Sequence, residues 1–254
     1  GKSDPVDAEA AARAVLAGEA SSPAKSDHAS VGMLRSLRVA RRSAMKMRTQ
    51  VWQQMQALLV SAPAELRERL RSLPPDHLVA VSTGLRPGPV TSPAAATKLA
   101  LRGLAVRHQL LSGELQRLDL ELARLTQEVA PALCALIGVG PDVAGALLVA
   151  AGDNPARLTS EASFANLCGA APLPASSGKT NRHRLNRGGD RLANNALWHI
   201  VITRLRWHQP TRSYMARRTT EGLSKREIIR CLKRYVAREV YRCLLTTGAL
   251  APAT

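Results

Sequence analysis

The amino-acid sequence predicts a mostly α-helical protein, and three observations support this prediction. Ala, Leu and Arg are abundant, whereas aromatic residues make up 3% of the chain, with a single Phe, a balance that favours helices over strands. Two long stretches, from Met33 to Val60 and from Ser92 to about Leu136, carry apolar residues at helical spacing. A third amphipathic stretch runs from about Ser224 to Leu245.

Residues 31–129 are expected to form a helical, coiled-coil middle domain. In the Met33 to Val60 helix, the apolar face is formed by Leu34, Leu37, Val51, Met55, Leu58 and Leu59. In the next long helix, leucines recur mostly three or four residues apart, as in a coiled-coil seam: Leu104, Leu111, Leu115, Leu118, Leu122 and Leu125. Helical periodicity does not choose a partner, so both a second subunit and the Met33 to Val60 helix remain open.

Shorter elements join these long helices. Ala62 to Leu73 is predicted to be a short helix, which the pair Pro74-Pro75 ends. Val79 to Thr91 is rich in Pro and Gly and is expected to be a loop. The first long helix also carries Arg and Lys on its polar face, typical both of a solvated helix and of one that lies along nucleic acid.

Two carboxylates stand at the start of the first predicted helix. Ser3 or Asp4 can cap it, with Pro5 at its first position. Asp4 and Asp7 then share one face and are close enough to hold a divalent metal together. The ordinary alternative is that acids in a first turn favour the helix dipole.

A glycine turn, Ile137-Gly138-Val139-Gly140, lies between two apolar helical segments, and Pro141 starts the second. The pattern resembles a helix-hairpin-helix, in which backbone amides at Gly138 and Gly140 would contact a DNA phosphate. A plain tight turn between packed helices is the alternative.

The stretch from Gly169 to Trp198 combines a hydroxyl pair with a basic run. Ser176 and Ser177 precede Gly178, and the basic residues that follow are Lys179, Arg182, His183, Arg184 and Arg187. A small hydroxyl flanked by guanidinium groups suits attack on a phosphodiester. Asp190 is expected to cap a helix that runs to Trp207. A Ser/Gly linker ahead of a solvated basic face is the alternative.

The carboxyl-terminal third carries much of the positive charge. A basic loop is expected around Tyr214 to Arg218, ahead of the last helix. The apolar face of that helix is formed by Ile228, Ile229, Leu232, Val236, Val240 and Leu244, and its basic residues are Lys225, Arg226, Arg230, Lys233, Arg234, Arg238 and Arg242.

Charge and cysteine usage limit the classes of function. The net charge is +17 and the pI is about 11.0, which points to a polyanionic partner, with nucleic acid the first candidate. Few aromatic residues argue against a sheet that stacks bases. The four cysteines show no metal-binding spacing, which argues against zinc and favours a reduced, cytoplasmic setting, here nucleoid-associated. No signal peptide or membrane span is apparent.

Three stretches together resemble the insertion sequence one-ten family of transposases, which are RNA-guided DNA recombinases. Lys2 to Gly18 (KSDPVDAEAAARAVLAG) resembles the end of the family's RuvC-like domain, whose acidic set finishes with D-x-x-D-A. IGVGPDVAGALLVAAGD, with the later CGAAP, resembles the start of the family's transposase domain. SSGKTNRHRLNRGGDRLANNALW resembles the segment with the catalytic serine.

The resemblance implies a domain order and a chemistry. Residues 1–30 would be the end of the RuvC-like domain and residues 130–254 the transposase domain. Ser177 would be the nucleophile, with Ser176 as the alternative, and Asp4 and Asp7 would be the last two acids that hold Mg²⁺. The serine would form a covalent phosphoserine link to DNA, and a guide RNA would choose the DNA by base pairing.

The family's first two acids lie upstream of the point that matches Lys2, so we expect a truncated copy that is inactive alone. The predicted function is DNA transposition, by a protein that also forms a homo-oligomer. The alternative is a non-catalytic helical protein that binds DNA or RNA. A purely structural oligomerisation module is disfavoured by the charge.

Overall fold

A computed structural model describes residues 4–19, 29–152, 158–175 and 183–246 of the chain. Within these residues the structure is mostly α-helical, as the composition predicts, with eleven helices and one two-stranded ribbon. The chain forms two compact units: Gly1–Gly32 with Glu128–Thr254, and Met33–Gln127. The first helix, α1 (Asp4–Leu16), has no buried residue.

Four helices build the Met33–Gln127 unit, α2 crossing its boundary at one end and α5 at the other: α2 (Ala29–Val60), α3 (Ala64–Arg71), α4 (Pro75–Thr83) and α5 (Pro93–Val129). Residues later in α2 contact residues earlier in α5, so the two helices are antiparallel. Arg41 pairs with Asp119, and further along α2 the Trp52 ring lies 6.2 Å from the His108 ring. The predicted seam is therefore satisfied, at least in part, within the chain.

The core of this unit is aliphatic and comes from all four helices. Its largest fully buried members are Met55, Leu70 and Leu101. On the predicted seam Leu111 and Leu115 join this cluster, and Leu122 and Leu125 are also buried. The short helices α3 and α4 contribute Leu66, Leu70, Leu78 and Val79 to the same cluster.

Two boundaries in this region differ from the sequence prediction. The prediction of a loop from Val79 to Thr91 is wrong at its start, because α4 continues through Thr83 and buries Val79. The second long helix ends at Val129, not near Leu136. Ala130 has φ −147° and precedes Pro131, and a residue before proline is pushed out of the helical region.

Besides α1, the described part of the other unit contains eight elements, with α9 and α11 making most of the helix contacts. Their bounds are α6 (Pro131–Cys134), α7 (Pro141–Ala151), α8 (Glu161–Leu167), β1 (Leu173–Pro174), β2 (His183–Arg184), α9 (Arg191–Trp207), α10 (Gln209–Thr220) and α11 (Lys225–Thr246). Helix α9 packs against α7 and α11, and α11 also packs against α6, α8 and α10. Fully buried residues at these contacts include Phe164, Leu197, Ile200 and Ile228.

Two expectations for this unit change. The basic loop predicted at Tyr214 to Arg218 is part of helix α10, and Pro210 lies in its first turn, where proline needs no amide hydrogen. The segment before the Gly138 turn is the single turn α6, which ends at Cys134. In the part of the chain that the structure describes, no helix is long and apolar enough to cross a membrane.

Candidate nucleic-acid interface

Two tight turns meet at the centre of the carboxyl-terminal unit. One follows α8 at Gly169, which has φ +62°, and the other contains Gly188 and Gly189. A Cβ atom on Gly189 would lie 2.2 Å from the Gly169 backbone nitrogen, so only glycine fits there. The Asp190 amide donates a 2.6 Å hydrogen bond to the Leu167 carbonyl. The two turns are thereby joined through their backbones.

The antiparallel ribbon lies between these two turns in sequence. Leu173 is paired with Arg184, and Pro174 with His183. The pairing brings together the two ends of the segment with the hydroxyl pair and the first basic residues. Of the predicted site, Ser176, Ser177, Lys179 and Arg182 lie outside the described residues, whereas Arg184 is exposed on β2.

Side-chain amides reinforce the same region. Asn194, on the first turn of α9, donates both hydrogens of Nδ2, to the Cys168 carbonyl at 2.8 Å and the Gly169 carbonyl at 2.9 Å. Asn186 donates to Asn166 Oδ1 at 2.8 Å. The predicted cap of α9 is confirmed, because Asp190 Oδ1 accepts hydrogen bonds from two amides of the first turn at 2.8 Å.

A basic cavity of about 810 Å³ opens beside the ribbon. Its walls come from the Gly169 turn, from β2, from α10 and from α11. Seven cationic side chains and one carboxylate, Glu227, line it. The cationic residues are Arg184, Arg217, Arg218, Arg230, Lys233, Arg234 and Arg238. Such an excess of positive charge in a concave surface raises the local concentration of polyanions.

Carboxylates hold the arginines of this cavity in place. Glu161 accepts from Arg234 at 3.2 Å and lies 2.8 Å from Arg238. Glu221 pairs with Arg218 and, at 3.8 Å, with Arg217. Although burial opposes it, hydrogen bonds from these arginines lower the pKa of Glu161, which keeps it charged.

An aromatic pair forms part of the cavity wall. The Tyr214 and Tyr235 rings meet edge to face with centroids 5.6 Å apart. Arg217 lies over the Tyr214 ring at 5.4 Å. Burial, with Cys231 next in importance, raises the pKa of Tyr214 to about 12, so its hydroxyl remains a hydrogen-bond donor. Although aromatic residues are scarce in the sequence, two of the three tyrosines stand here.

A second groove, of about 680 Å³, continues from the cavity along α9. It shares Leu185 and Asn186 with the cavity and contains Arg187, one of the predicted contacts. Its far wall is Trp198, which is 39% exposed. The cavity is lined by β2, and the groove by the turn that follows it.

The Gly138 turn packs against α9 on one side, whereas Ile137 is 52% exposed. A Cβ on Gly138 would lie 3.1 Å from the Ile200 carbonyl, so this glycine packs against α9. The Val139 amide already donates to the Leu136 carbonyl, and Arg204 donates to the Ile137 carbonyl at 2.8 Å. Gly140 is exposed. The structure thus gives the turn a packing role, and its predicted contact with phosphate stays a prediction.

The two predicted metal-binding acids lie together in the first turn of α1, and both are exposed. No group of three or more His, Cys, Asp or Glu residues that could hold a metal occurs among the residues described. Mg²⁺ is commonly held by one or two carboxylates, with water completing its six oxygen positions. The role of Asp4 and Asp7 as magnesium ligands stays a prediction.

Sequence reasoning missed the cavity itself. The sequence prediction placed Tyr214 and its neighbouring arginines in a basic loop and named Lys233 only as one of the basic residues of the last helix. Once α10 is helical, Tyr214, Arg217 and Arg218 lie three and four residues apart and share a face. The spacing of three and four residues between Tyr214, Arg217 and Arg218 was the signal that could have found them.

Residues 130–216 match the family model Transposase IS116/IS110/IS902 family. The matched segment begins just before α6 and ends within α10, so it contains both joined turns, the ribbon and the wall of the groove. It covers roughly a third of the chain. No curated protein sequence matches the chain. The match supports a role in DNA transposition, with DNA as a partner.

Proposed function

We propose that this chain acts in DNA transposition, binding DNA in the basic cavity and groove and cutting it with a serine nucleophile. The observation that carries the proposal is the position of the family match. It encloses the ribbon whose strands flank the Ser176-Ser177 pair in sequence. The cavity's excess of cations supports a polyanionic substrate independently of the match.

In the proposed chemistry the Ser177 hydroxyl oxygen attacks a backbone phosphorus, with Ser176 as the alternative nucleophile. A new serine–phosphate bond forms, the bond from phosphorus to the departing 3′ oxygen breaks, and that oxygen takes up a proton. Arg184, beside the segment, would stabilise charge on the phosphate in the transition state. Asp4 and Asp7 would be the residues that hold Mg²⁺, which would stabilise charge on the phosphate; no step is assigned to the metal.

The first experiment separates chemistry from binding. Purified chain is incubated with DNA from both flanks of its own gene, and the reaction is analysed on a denaturing gel for a covalent adduct. We expect Ser177→Ala to abolish the adduct and to leave salt-sensitive DNA binding nearly unchanged. Ser176→Ala is the matched control and should retain the adduct; the reverse result would assign the chemistry to Ser176.

The cavity also favours a second candidate, a non-catalytic protein that binds DNA or RNA. Its charge does not depend on either serine. Strong binding without an adduct in the wild-type chain would support this candidate for the chain alone. An adduct would contradict it, together with the expectation of a truncated copy that is inactive alone. A guide RNA belongs to the first proposal. A defined RNA retained by the purified chain at moderate salt would support it, and random RNA only would count against it.

We further propose that α5 associates with a second copy of itself. Besides the seam toward α2, α5 carries a second stripe with alternating spacings of four and three residues: Leu99, Gly103, Val106, Leu110, Gly113, Arg117 and Leu120. Leu110 is 69% exposed and Leu120 is 70% exposed. Neither glycine has an atom within 4 Å of a Cβ position, so both leave open hollows.

An antiparallel second copy fits this stripe in size and charge. One register places Leu110 opposite the second copy's Gly113, and Leu120 opposite its Gly103. Each large side chain then meets a hollow. The same register places Arg107 beside the second copy's Glu114, an attractive pair at the flank of such a seam.

A further inference from the structure

Lys233 is the one deeply buried lysine of the described chain. It lies on α11, lines the basic cavity and is 5% exposed. Its Nζ donates a 2.8 Å hydrogen bond to Asn194 Oδ1. An ammonium group has three hydrogens, so two remain for other acceptors. Burying an ammonium group is costly unless an anion and further hydrogen bonds compensate for the lost water.

The cationic neighbours of Lys233 on α11 have carboxylate partners, and Lys233 has none among the residues described. Arg230 lies 3.9 Å from Glu227, and both Arg234 and Arg238 lie beside Glu161. Burial, together with the charge of Arg230, lowers the pKa of Lys233. The carboxylates therefore pair with the arginines, and Lys233, the most buried cation of the cavity, has no anion beside it.

The orientation of Asn194 shows why the lysine stays in this position. Both Nδ2 hydrogens are occupied by the Cys168 and Gly169 carbonyls, so the amide oxygen must point the other way. That oxygen accepts from Lys233. The ammonium group is thus fixed relative to the Gly169 turn. Strand β1 begins shortly after this turn, at Leu173.

Other donors of the same cavity also lack acceptors. Arg218 Nε and Arg234 Nη1 are buried and have no hydrogen-bond partner. Both residues line the cavity with Lys233. Unpaired buried donors are rare in proteins, and three cationic groups with free donors around one cavity indicate a missing anionic acceptor.

We propose that Lys233 forms the floor of an anion site that takes one phosphodiester oxygen of a nucleic-acid strand entering the cavity. The inference rests on the proposed function for the nature of the strand, whereas the need for an anion follows from Lys233 itself. A phosphodiester suits the site because its singly charged oxygens are small and can accept hydrogen bonds from several donors at once. The remaining arginines would contact neighbouring phosphates.

The test uses the full chain and a short fluorescent oligonucleotide, with binding measured by anisotropy. Single methylphosphonates, which remove one charge, are placed at each position in turn. We expect Lys233→Gln, which keeps a donor for Asn194, to weaken binding about tenfold or more, the contribution of a hydrogen bond to a charged group. Lys225→Gln, on an exposed position of the same helix, is the matched control and should change binding little.

The decisive result is coupling to one phosphate. A methylphosphonate at one position should weaken binding by the wild-type chain and have no further effect on Lys233→Gln. Equal sensitivity in both proteins at every position would overturn the site while leaving the proposed function intact. Binding that is insensitive to salt in the wild-type chain would instead contradict the proposed function.

Two further measurements cover other outcomes. If Lys233→Gln fails to fold, ammonium NMR of the wild-type complex replaces the binding assay. The Lys233 Nζ resonance, assigned by its loss in Lys233→Arg, should show coupling to phosphorus, and the absence of coupling would refute the site.

The other measurement uses inorganic phosphate at matched ionic strength. If it stabilises the wild-type chain but not Lys233→Gln, and no strand position is coupled, the site takes free phosphate and the inference is wrong.

Discussion

The contact between Gly189 and the Gly169 turn gives a sharp test of how the candidate site is built. In Gly189→Ala the new methyl group would lie 2.2 Å from the Gly169 nitrogen, 2.5 Å from its Cα and 2.8 Å from the Leu167 carbonyl oxygen. All three are backbone atoms, so no side chain can move aside. The two turns must separate, and the 2.6 Å hydrogen bond from the Asp190 amide to the Leu167 carbonyl is lost or stretched.

The expected loss of stability follows from these two effects. Overpacking costs about 1–3 kcal/mol, and one net hydrogen bond contributes about 1 kcal/mol. We therefore expect Gly189→Ala to lower the free energy of unfolding by about 2–4 kcal/mol, or the melting temperature by roughly 5–15 °C. Chemical unfolding followed by tryptophan fluorescence measures the change, because Trp198 lies in the adjoining groove.

The adjacent glycine is the matched control. A Cβ on Gly188 would meet only Asn186 Oδ1, at 3.5 Å, which is an ordinary contact. Gly188→Ala should therefore change the free energy of unfolding by less than about 1 kcal/mol. Similar losses in the two variants would refute the argument that close backbone approach holds the site together.

Two other predictions concern the second α5 stripe and a buried thiol. Leu110→Arg should weaken self-association on the order of a hundredfold or more, because each copy loses a buried leucine and gains a charge. Sedimentation measures the association, and Gln53→Arg, on the exposed surface of α2, is the control. A monomeric wild-type chain would contradict the role of the stripe. Burial, then Asp190, raises the pKa of Cys168 from 9.0 to about 12. The stability that the buried Cys168 thiol contributes is therefore fully present below about pH 9 and lost as the pH rises toward 12. At pH 8 the Cys168 thiol should resist thiol reagents until denaturant is added. Rapid labelling of the native chain would contradict its burial.

The elements that can be predicted from the sequence are those that depend on neighbouring residues alone. The Ser224 to Leu245 prediction differs from α11 by about one residue at each end, because its apolar spacing persists over six turns. The Asp190 cap needs only the residues that follow it. Helix α10 was predicted as a basic loop, although Pro210 falls in its first turn, where proline is favoured.

The candidate site was harder to predict because its decisive contacts join distant parts of the chain. Lys233 has the same sequence context as the solvated charges around it, and its burial depends on Asn194, which lies 39 residues away. The role of Gly189 depends on the backbone of Gly169. Local pattern gives the type and spacing of such residues, but tertiary packing decides which of them meet.

The acids around the cavity fit the proposed role, although they seem at first to oppose it. Three carboxylates, Glu161, Glu221 and Glu227, pair with five of the arginines and so reduce the net positive charge. Without them, closely spaced guanidinium groups would repel one another and spread into solvent. With them the arginines keep fixed positions, so a strand that binds loses less energy in ordering side chains.

The same arrangement separates positioning from attraction. The five paired arginines provide geometry and outnumber their three carboxylates by two. Lys233 and Arg184, which have no carboxylate partner among the described residues, add further positive charge. Lys233 is held by Asn194 to the turn before β1, and Arg184 stands on β2. Both cations without a carboxylate partner are therefore tied to the ribbon that flanks Ser176 and Ser177 in sequence. A phosphate attracted by them would be drawn toward the segment where the nucleophile is proposed.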